Sequence, residues 1–430
     1  LPYDKITLDF EPDTFGHAWT VPQILRNAGI ERYYFCRAGK EHQLFWWEAP
    51  DGSRVLAWND SKLWYLGPVR SEHAVEVLRL EQATGMKDYM VLYGVGDHGG
   101  GPTRRDLQLV KEMQEWPIWP NYRFGTLDEF FALAEKVGDR LPVVRDELNF
   151  VFRGCYTSQS NIKRANRFSE NMLVRAESLA SVAHAMGWLD YPHEAFNTGW
   201  RNTCFNQFHD ILPGSGVRGT YDYAQGLFQE TQTKASMSWK KAAEQLVGRL
   251  PRPQAGRPIV VFNSQPWERT EGVTAKVFNI PRNTRAVTLK DEDGKIVPAQ
   301  VSGGGHYWGH EYVDVSWTAA DVPGMGYRSF FMERSPADQN LLGLAVDPTW
   351  LGDADRAKGT DAPVFVAGDG RMHNEYFKIQ VEPGSGSIVS LIDRQTGEEL
   401  VPAGARLGLF QVAYETPHGM SSWVVGPITR

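Results

Sequence analysis

The pattern of apolar positions changes twice along the chain, and each change predicts a change of architecture. Over residues 1–140, short apolar runs alternate with segments of helical spacing. ITLDF, RYYFCR, FWWEA with RVLAW, YMVLYG and YRFG read as strands, and VPQILRNAG reads as a helix. FGTLDEFFALAEKV carries a helix start at Thr126, with acids in the first turn where the helix dipole favours them. Strands alternating with helices predict a largely parallel α/β layer, with functional loops at the C-terminal ends of the strands. Two of these ends, LDFEPD and YGVGD, carry acids.

From 155 to 247 the spacing becomes helical. Ile162, Ala165, Phe168, Met172, Leu173, Ala176, Leu179, Ala180 and Ala183 fall on one face. A second helical stretch ends at FNQFHDILPG, and a third runs from Tyr221 to about Leu250, so the middle region reads as a helical bundle. RLPRPQAGRP (249–258) is a linker rich in Pro, Gly and Arg. Beyond it IVVFN, VTAKVFN, AVTLKD, EYVDVSW, YRSFFM, YFKIQVE and SIVSLID are strands separated by Gly, Pro, Asn and Asp turns. The chain, at 430 residues, exceeds what one core usually organises. Its expected division is 1–145 (α/β), 146–250 (α) and 251–430 (β).

Composition narrows the function classes. A net charge of -7 argues against a dedicated nucleic-acid surface. No apolar run approaches the roughly 20 residues of a membrane span. Cys36, Cys155 and Cys204 are widely spaced and form neither a disulfide framework nor a CxxC knuckle, which fits free thiols in a reducing, cytoplasmic compartment. No signal peptide is visible, but the sequence starts at Leu1, close to a strand, and reads as part of a longer protein. Fifteen Trp and 16 Tyr suit a sugar site and a large core alike.

The candidate chemistry centres on DYMVLYGVGDHGGGPTRRDL (88–107), where an apolar run opens into five glycines around Asp97 and His98. Gly94-x-Gly96-x-x-Gly99 matches the dinucleotide fingerprint, but Asp97 would set a carboxylate against the pyrophosphate, and no acid follows at the ribose spacing. His98-Gly-Gly-Gly matches an esterase oxyanion loop, but no G-x-S-x-G nucleophile elbow occurs in the chain. A carboxylate on a glycine turn also suits a general acid. That reading gains from EPDTFGHAWTVPQIL (11–25), where Asp13 lies just past a strand, and from NQFHDILPGS (206–215), where His209 and Asp210 lie at a helix end. Each has a plain structural alternative as a cap, turn or core residue.

Taken together, PDTFGHAWTVPQIL, YGVGDHGGGPTR, FRGCYTSQSNIKRANRFSENMLVRAE, FNQFHDILPGS, PIVVFNSQPWERTEGV and NEYFKIQVEPGSGSIVSLIDRQTGEEL resemble, in order, segments of glycoside hydrolase family 38, the zinc-dependent retaining α-mannosidases, in its bacterial and cytosolic branch. The resemblance implies a seven-stranded α/β barrel, a helical bundle and β-sandwiches. It implies Asp13 as nucleophile and zinc ligand, His209 as a second zinc ligand and Asp97 as general acid/base. Phe15, Arg37, Tyr65 and Asp210 are implied as substrate contacts. The implied cofactor is Zn2+. The implied partner is an α-mannoside or mannosylated oligosaccharide, and the resemblance allows a homo-oligomer.

The family also carries a His-x-Asp pair supplying two zinc ligands, and H-x-D occurs nowhere in this chain. The resemblance therefore implies an incomplete barrel and a β-region cut short, and little activity for residues 1–430 alone. The rival expectation is a metal-free, non-catalytic carbohydrate-binding or scaffold protein of the same fold.

Overall fold

The computed structural model describes residues 6–38, 41–62, 64–65, 67, 69–96, 99–251, 256–284, 286–334, 370–373, 376–416 and 418–429. The chain divides into two compact units. One comprises Leu1–Phe168, Arg201–Gln229 and Glu415–Arg430, and the other Ser169–Trp200 and Glu230–Tyr414.

The first unit is built on a five-stranded sheet. Its strands are β1 (Leu8–Glu11), β2 (Arg32–Phe35), β3 (Leu44–Glu48), β4 (Arg54–Asn59) and β5 (Val143–Val144), in spatial order β1-β2-β4-β3-β5. The β1–β2, β2–β4 and β3–β5 pairs are parallel, and the β3–β4 hairpin is antiparallel. Successive side chains alternate between faces. Tyr34, Leu44, Leu56 and Trp58 pack with Leu80, Met86, Phe130 and Phe131 in one core. Tyr33, Phe35, Phe45, Trp47, Val55 and Ala57 pack with Leu25 and Leu148 in another. Both faces are covered, which is why RYYF, LFWWE and RVLAWN read as continuous apolar runs. The connecting helices are α1 (Val21–Asn27), α2 (His73–Thr84), α3 (Arg104–Gln114) and α4 (Leu127–Ala134). Thr103 and Thr126 form capping boxes with Asp106 and Glu129, so α3 and α4 start where their side chains meet the orphan N–H groups.

Two expected strands did not form. YMVLYG and YRFG have no ladder: Tyr89, Met90 and Leu92 pack against the sheet core from an irregular segment, and the Tyr89 hydroxyl accepts a bond from Gln43 Nε2 at 2.6 Å. Burial alone made that run apolar, and periodicity cannot separate such a segment from a strand.

The helical region consists of α5 (Ser160–Ala185), α6 (His193–Asn206) and α7 (Arg218–Val247). In the first unit Ile162, Ile211, Tyr221, Ala224 and Phe228 form a core. Here a late segment returns to an early one. The Gly154 N–H donates to the Trp423 carbonyl at 2.8 Å, and Ser158 Oγ donates to the Ser422 carbonyl at 2.9 Å. A Cβ on Gly154 would lie 3.0 Å from the Trp423 backbone, so the contact requires the missing side chain.

In the second unit, Leu173, Ala176, Ala180, Phe196, Ala235 and Ala242 form the helical core. The β-region follows, with β6 (Arg257–Phe262), β7 (Arg269–Phe278), β8 (Val287–Lys290), β9 (Ile296–Val297), β10 (Ala299–Tyr307), β11 (His310–Val322) and β12 (Tyr327–Arg334). These form sheets of order β10-β11-β7 and β6-β12-β8-β9, and Leu289, Val313, Val315, Trp317, Phe330 and Met332 make one core from both. A third sheet contains β13 (Arg371–His373), β14 (Phe377–Val381) and β15 (Ile388–Asp393). No helix among the described residues is long and apolar enough to cross a membrane.

Candidate active site

The parallel register of β1 and β2 builds the site. Glu11 is the partner of Phe35, so the two strands leave the sheet at one level, and two residues further on Asp13 and Arg37 face each other. Pro12 has no N–H to extend the ladder, and Thr14 Oγ1 donates to the Glu11 carboxylate, which turns the chain. Arg37 Nε donates to Asp13 Oδ1, and Arg37 Nη2 donates to the Tyr65 hydroxyl at 3.2 Å. The guanidinium lies over the rings of Phe15 (5.3 Å) and Trp64 (4.9 Å), and Trp64 and Tyr65 stack at 5.6 Å. An arginine gripped by two rings and a phenol is a preorganised clamp for a carboxylate.

His209 reaches the same carboxylate from the other side. It follows α6, its Nε2 lies 3.1 Å from Asp13 Oδ2, and its ring meets Phe15 edge-on at 6.0 Å. Three features hold this turn. Lys163 Nζ donates to the Leu212 carbonyl at 3.0 Å and also to the Ser158 carbonyl. Gly214 adopts φ 88°, and a Cβ there would lie 2.5 Å from the Ser158 oxygen. Asp210 is half exposed, accepts from Ser215 Oγ at 3.1 Å, and its Oδ2 lies 3.9 Å from His209 Nε2. Beside His209 opens a cleft of about 550 Å³, bounded by Glu11, Thr14, Phe205 and Phe208.

Burial by itself would raise the Asp13 carboxyl, but hydrogen bonds from Arg37 and Tyr65 and the nearby positive charge hold it below the usual range. Asp13 is therefore an anion at neutral pH, with its charge already oriented. Behind it, burial raises Asp9 to about 6, helped by the Glu11 charge, and burial raises the Cys36 thiol to about 12.

The structure brings Asp13, Phe15, Arg37, Tyr65, His209 and Asp210 together. Asp97, the expected general acid, and its neighbour His98 lie outside the described residues. On either side of them, Gly94 bridges Gly67, Gly96 bridges Gly100, and Gly94, Gly96 and Gly99 all take positive φ. The α3 helix begins only at Arg104 behind its Thr103 cap, so the glycine turn does not open directly into a helix N-terminus as a dinucleotide loop must. Sequence reasoning missed Trp64, which takes φ 67° to cover Arg37, and Phe152, which packs edge-on against Phe15 at 5.4 Å. The aromatic character of LWY was the available signal for Trp64.

Asp13 Oδ2 and His209 Nε2 have the spacing of two donors on one zinc ion, each of which would lie about 2.0–2.2 Å from the metal. No group of three or more His, Cys, Asp or Glu residues able to hold a metal occurs among the described residues. The pair supplies one edge of a coordination shell and does not make a zinc site by itself.

Comparison with known proteins places this geometry in a family. Residues 4–147 match the model of the glycosyl hydrolases family 38 N-terminal domain, and residues 151–246 match the alpha mannosidase middle domain. Human alpha-mannosidase 2C1 is 26% identical over 427 residues, covering 96% of this chain and 36% of its own length. The Saccharomyces cerevisiae alpha-mannosidase is 29% identical over 303 residues, covering 65% of this chain and 27% of its own. The crystal structure of an alpha-mannosidase from Enterococcus faecalis superposes with a TM-score of 0.61 at 20% identity, covering 92% of this chain and 48% of that one. The chain thus spans about a third of the length of the curated relatives that match it over nearly all its residues. With two successive domain models matched in order, the chain belongs to glycoside hydrolase family 38.

Proposed function

We propose that this chain carries the nucleophile half of an α-mannoside hydrolase acting with net retention. The observation that supports the reading best is the Asp13 carboxylate, ionised and held between Arg37 and His209 beside an open cleft. In the first step an Asp13 oxygen attacks the anomeric carbon, the glycosidic C–O bond breaks, and a general acid protonates the leaving oxygen. We assign that proton to Asp97. In the second step Asp97 takes a proton from water, which attacks the anomeric carbon and releases Asp13. Phe15, buried beneath Arg37 and His209, shapes the floor of the sugar site, and Asp210 and Tyr65 offer polar contacts to the sugar hydroxyls. Bound zinc would hold sugar hydroxyls and offset charge, with Asp13 and His209 as two of its ligands. The described residues do not complete that shell.

The five-stranded sheet is accordingly read as part of an α/β barrel, residues 146–250 as a helical bundle, and the two sheets sharing a core as a β-sandwich. The test is incubation with an aryl α-mannoside in the presence of zinc, with the first-formed anomer read by proton NMR. A fluorinated mannosyl fluoride should leave a mannosyl ester on Asp13. Slow, zinc-stimulated release of α-mannose, limited by the incomplete metal shell, and labelling of Asp13 are expected; release of the β-anomer, or a label on another residue, would refute the reading. The two-donor metal edge supports a second reading, a carbohydrate-binding protein without turnover. That reading is abandoned if this chain hydrolyses the mannoside.

A further inference from the structure

The loop that clamps Arg37 is anchored by a buried residue at the end of β4, through its backbone and through a carboxyl bonded to Tyr34. Asp60 follows β4 and is fully buried, at 0% exposure. Its N–H donates to the Phe35 carbonyl at 2.9 Å, and its carbonyl accepts the Trp64 N–H at 2.8 Å. The Tyr34 hydroxyl donates to Oδ2 at 2.7 Å, while Oδ1 meets no hydrogen-bond partner among the described residues. One residue therefore ties the end of β2, which leads into Arg37, to the turn that presents Trp64 and Tyr65. Burial raises its carboxyl to about 7, which suits a neutral strut better than a buried anion.

We propose that Asp60 is the positioning residue of the site: through Phe35, Tyr34 and the 60–65 turn it fixes Trp64 and Tyr65 around Arg37, and so fixes Arg37 on Asp13. A mere space-filling role would be served by an apolar side chain, at no cost of an unpaired buried oxygen. Trp64 could not hold its positive φ without the backbone bond to the Asp60 carbonyl, because only a surrounding that over-determines such a conformation sustains it. The proposal rests on the reading of Asp13 as the reacting carboxylate, but its consequence can be measured without turnover.

The experiment uses the full chain labelled with 15Nε-arginine, with the Arg37 Nε–H resonance assigned by loss in Arg37→Lys. In the unaltered protein this proton donates to Asp13 and is expected to exchange slowly. At pH about 4, where the side chain at position 60 is neutral in both proteins, exchange should be at least about tenfold faster in Asp60→Ala and within about twofold in Asp60→Asn, which keeps the acceptor and the neutral shape. Tyr34→Phe removes the donor to Oδ2 and should shift exchange in the same direction as the alanine variant, which keeps the test open if Asp60→Ala fails to fold. Unchanged Arg37 exchange in Asp60→Ala or in Tyr34→Phe overturns the proposal, as does an Asn variant that behaves like Ala. Failure of the hydrolase reading would show separately, as absence of mannosyl labelling on Asp13 in the unaltered chain with the Arg37 resonance still protected.

Discussion

Replacing Asp60 by Asn gives a pH-dependent stability difference whose size and sign follow from burial. Asp60 is fully buried, and its carboxyl is raised from 3.8 to about 7. Raising a carboxyl on folding means that the native state keeps the proton while the unfolded state loses it. The native state is therefore most favoured below about 4, and that advantage is lost as pH rises toward about 7. Each pKa unit corresponds to about 1.4 kcal/mol, so three units amount to about 4 kcal/mol, an order-of-magnitude figure. Asn keeps an acceptor for Tyr34 and cannot ionise. The variant should match the wild type near pH 4 and become increasingly more stable up to pH 7, with a constant advantage above it. Global unfolding of a multi-unit chain is not two-state, so the measurement is hydrogen exchange of peptides spanning β2 and β4, compared between the proteins at each pH. Comparison at equal pH cancels the intrinsic rates. A difference in protection that stays flat between pH 4 and 7 would refute the buried, proton-retaining description of Asp60.

Three further outcomes are expected. Asp13→Asn should abolish mannosyl labelling and bring mannoside hydrolysis to background, because the attacking oxygen is lost, and should also lower thermal stability, because Arg37 loses the charge it is paired with; mass spectrometry of the labelled chain, steady-state kinetics on an aryl mannoside and a thermal melt read this. Tyr65→Phe should lower kcat/KM by about tenfold, since Arg37 loses one of its two acceptors but keeps Asp13 and both rings, and an effect below twofold would remove Tyr65 from the site. Gly214→Ala should destabilise the first unit by about 2–4 kcal/mol, from the left-handed backbone and the collision with Ser158, and should reduce protection of the segment bearing His209 by hydrogen exchange.

The legible parts of this molecule are those governed by local rules. Thr126 capped a helix, the spacing from Ile162 to Ala183 made α5, and the doubly covered strands betrayed themselves by having no polar face. AQVSGGGHY carries no strand signal, since Gly303, Gly304 and Gly305 have no side chains to pack; pairing with β11 forms β10 regardless. YMVLYG failed in the opposite direction, apolar for burial but without a ladder. For the site, residue types in EPDTFGHAW and FNQFHDILPG pointed to the chemistry, but nothing in spacing brings Asp13 to His209. That approach is set by the β1–β2 register and by Gly214 packing on Ser158, both of which are tertiary facts. Asp60 was invisible for the same reason: an acid after a strand reads as a turn residue until its burial is known.

The return of Ser422 and Trp423 to the Gly154–Ser158 turn bears on when the site can assemble during synthesis. Ser158 supports the His209 turn through Gly214, yet its own hydroxyl waits for a carbonyl 264 residues further along the chain. At about 5–20 residues per second, a ribosome has exposed both the Asp13 and the His209 segments roughly 10–45 s before that partner emerges. During this interval the nascent chain holds both halves of the clamp without the late segment that braces one of them, so full rigidity of the site is deferred until the long β-region has been translated.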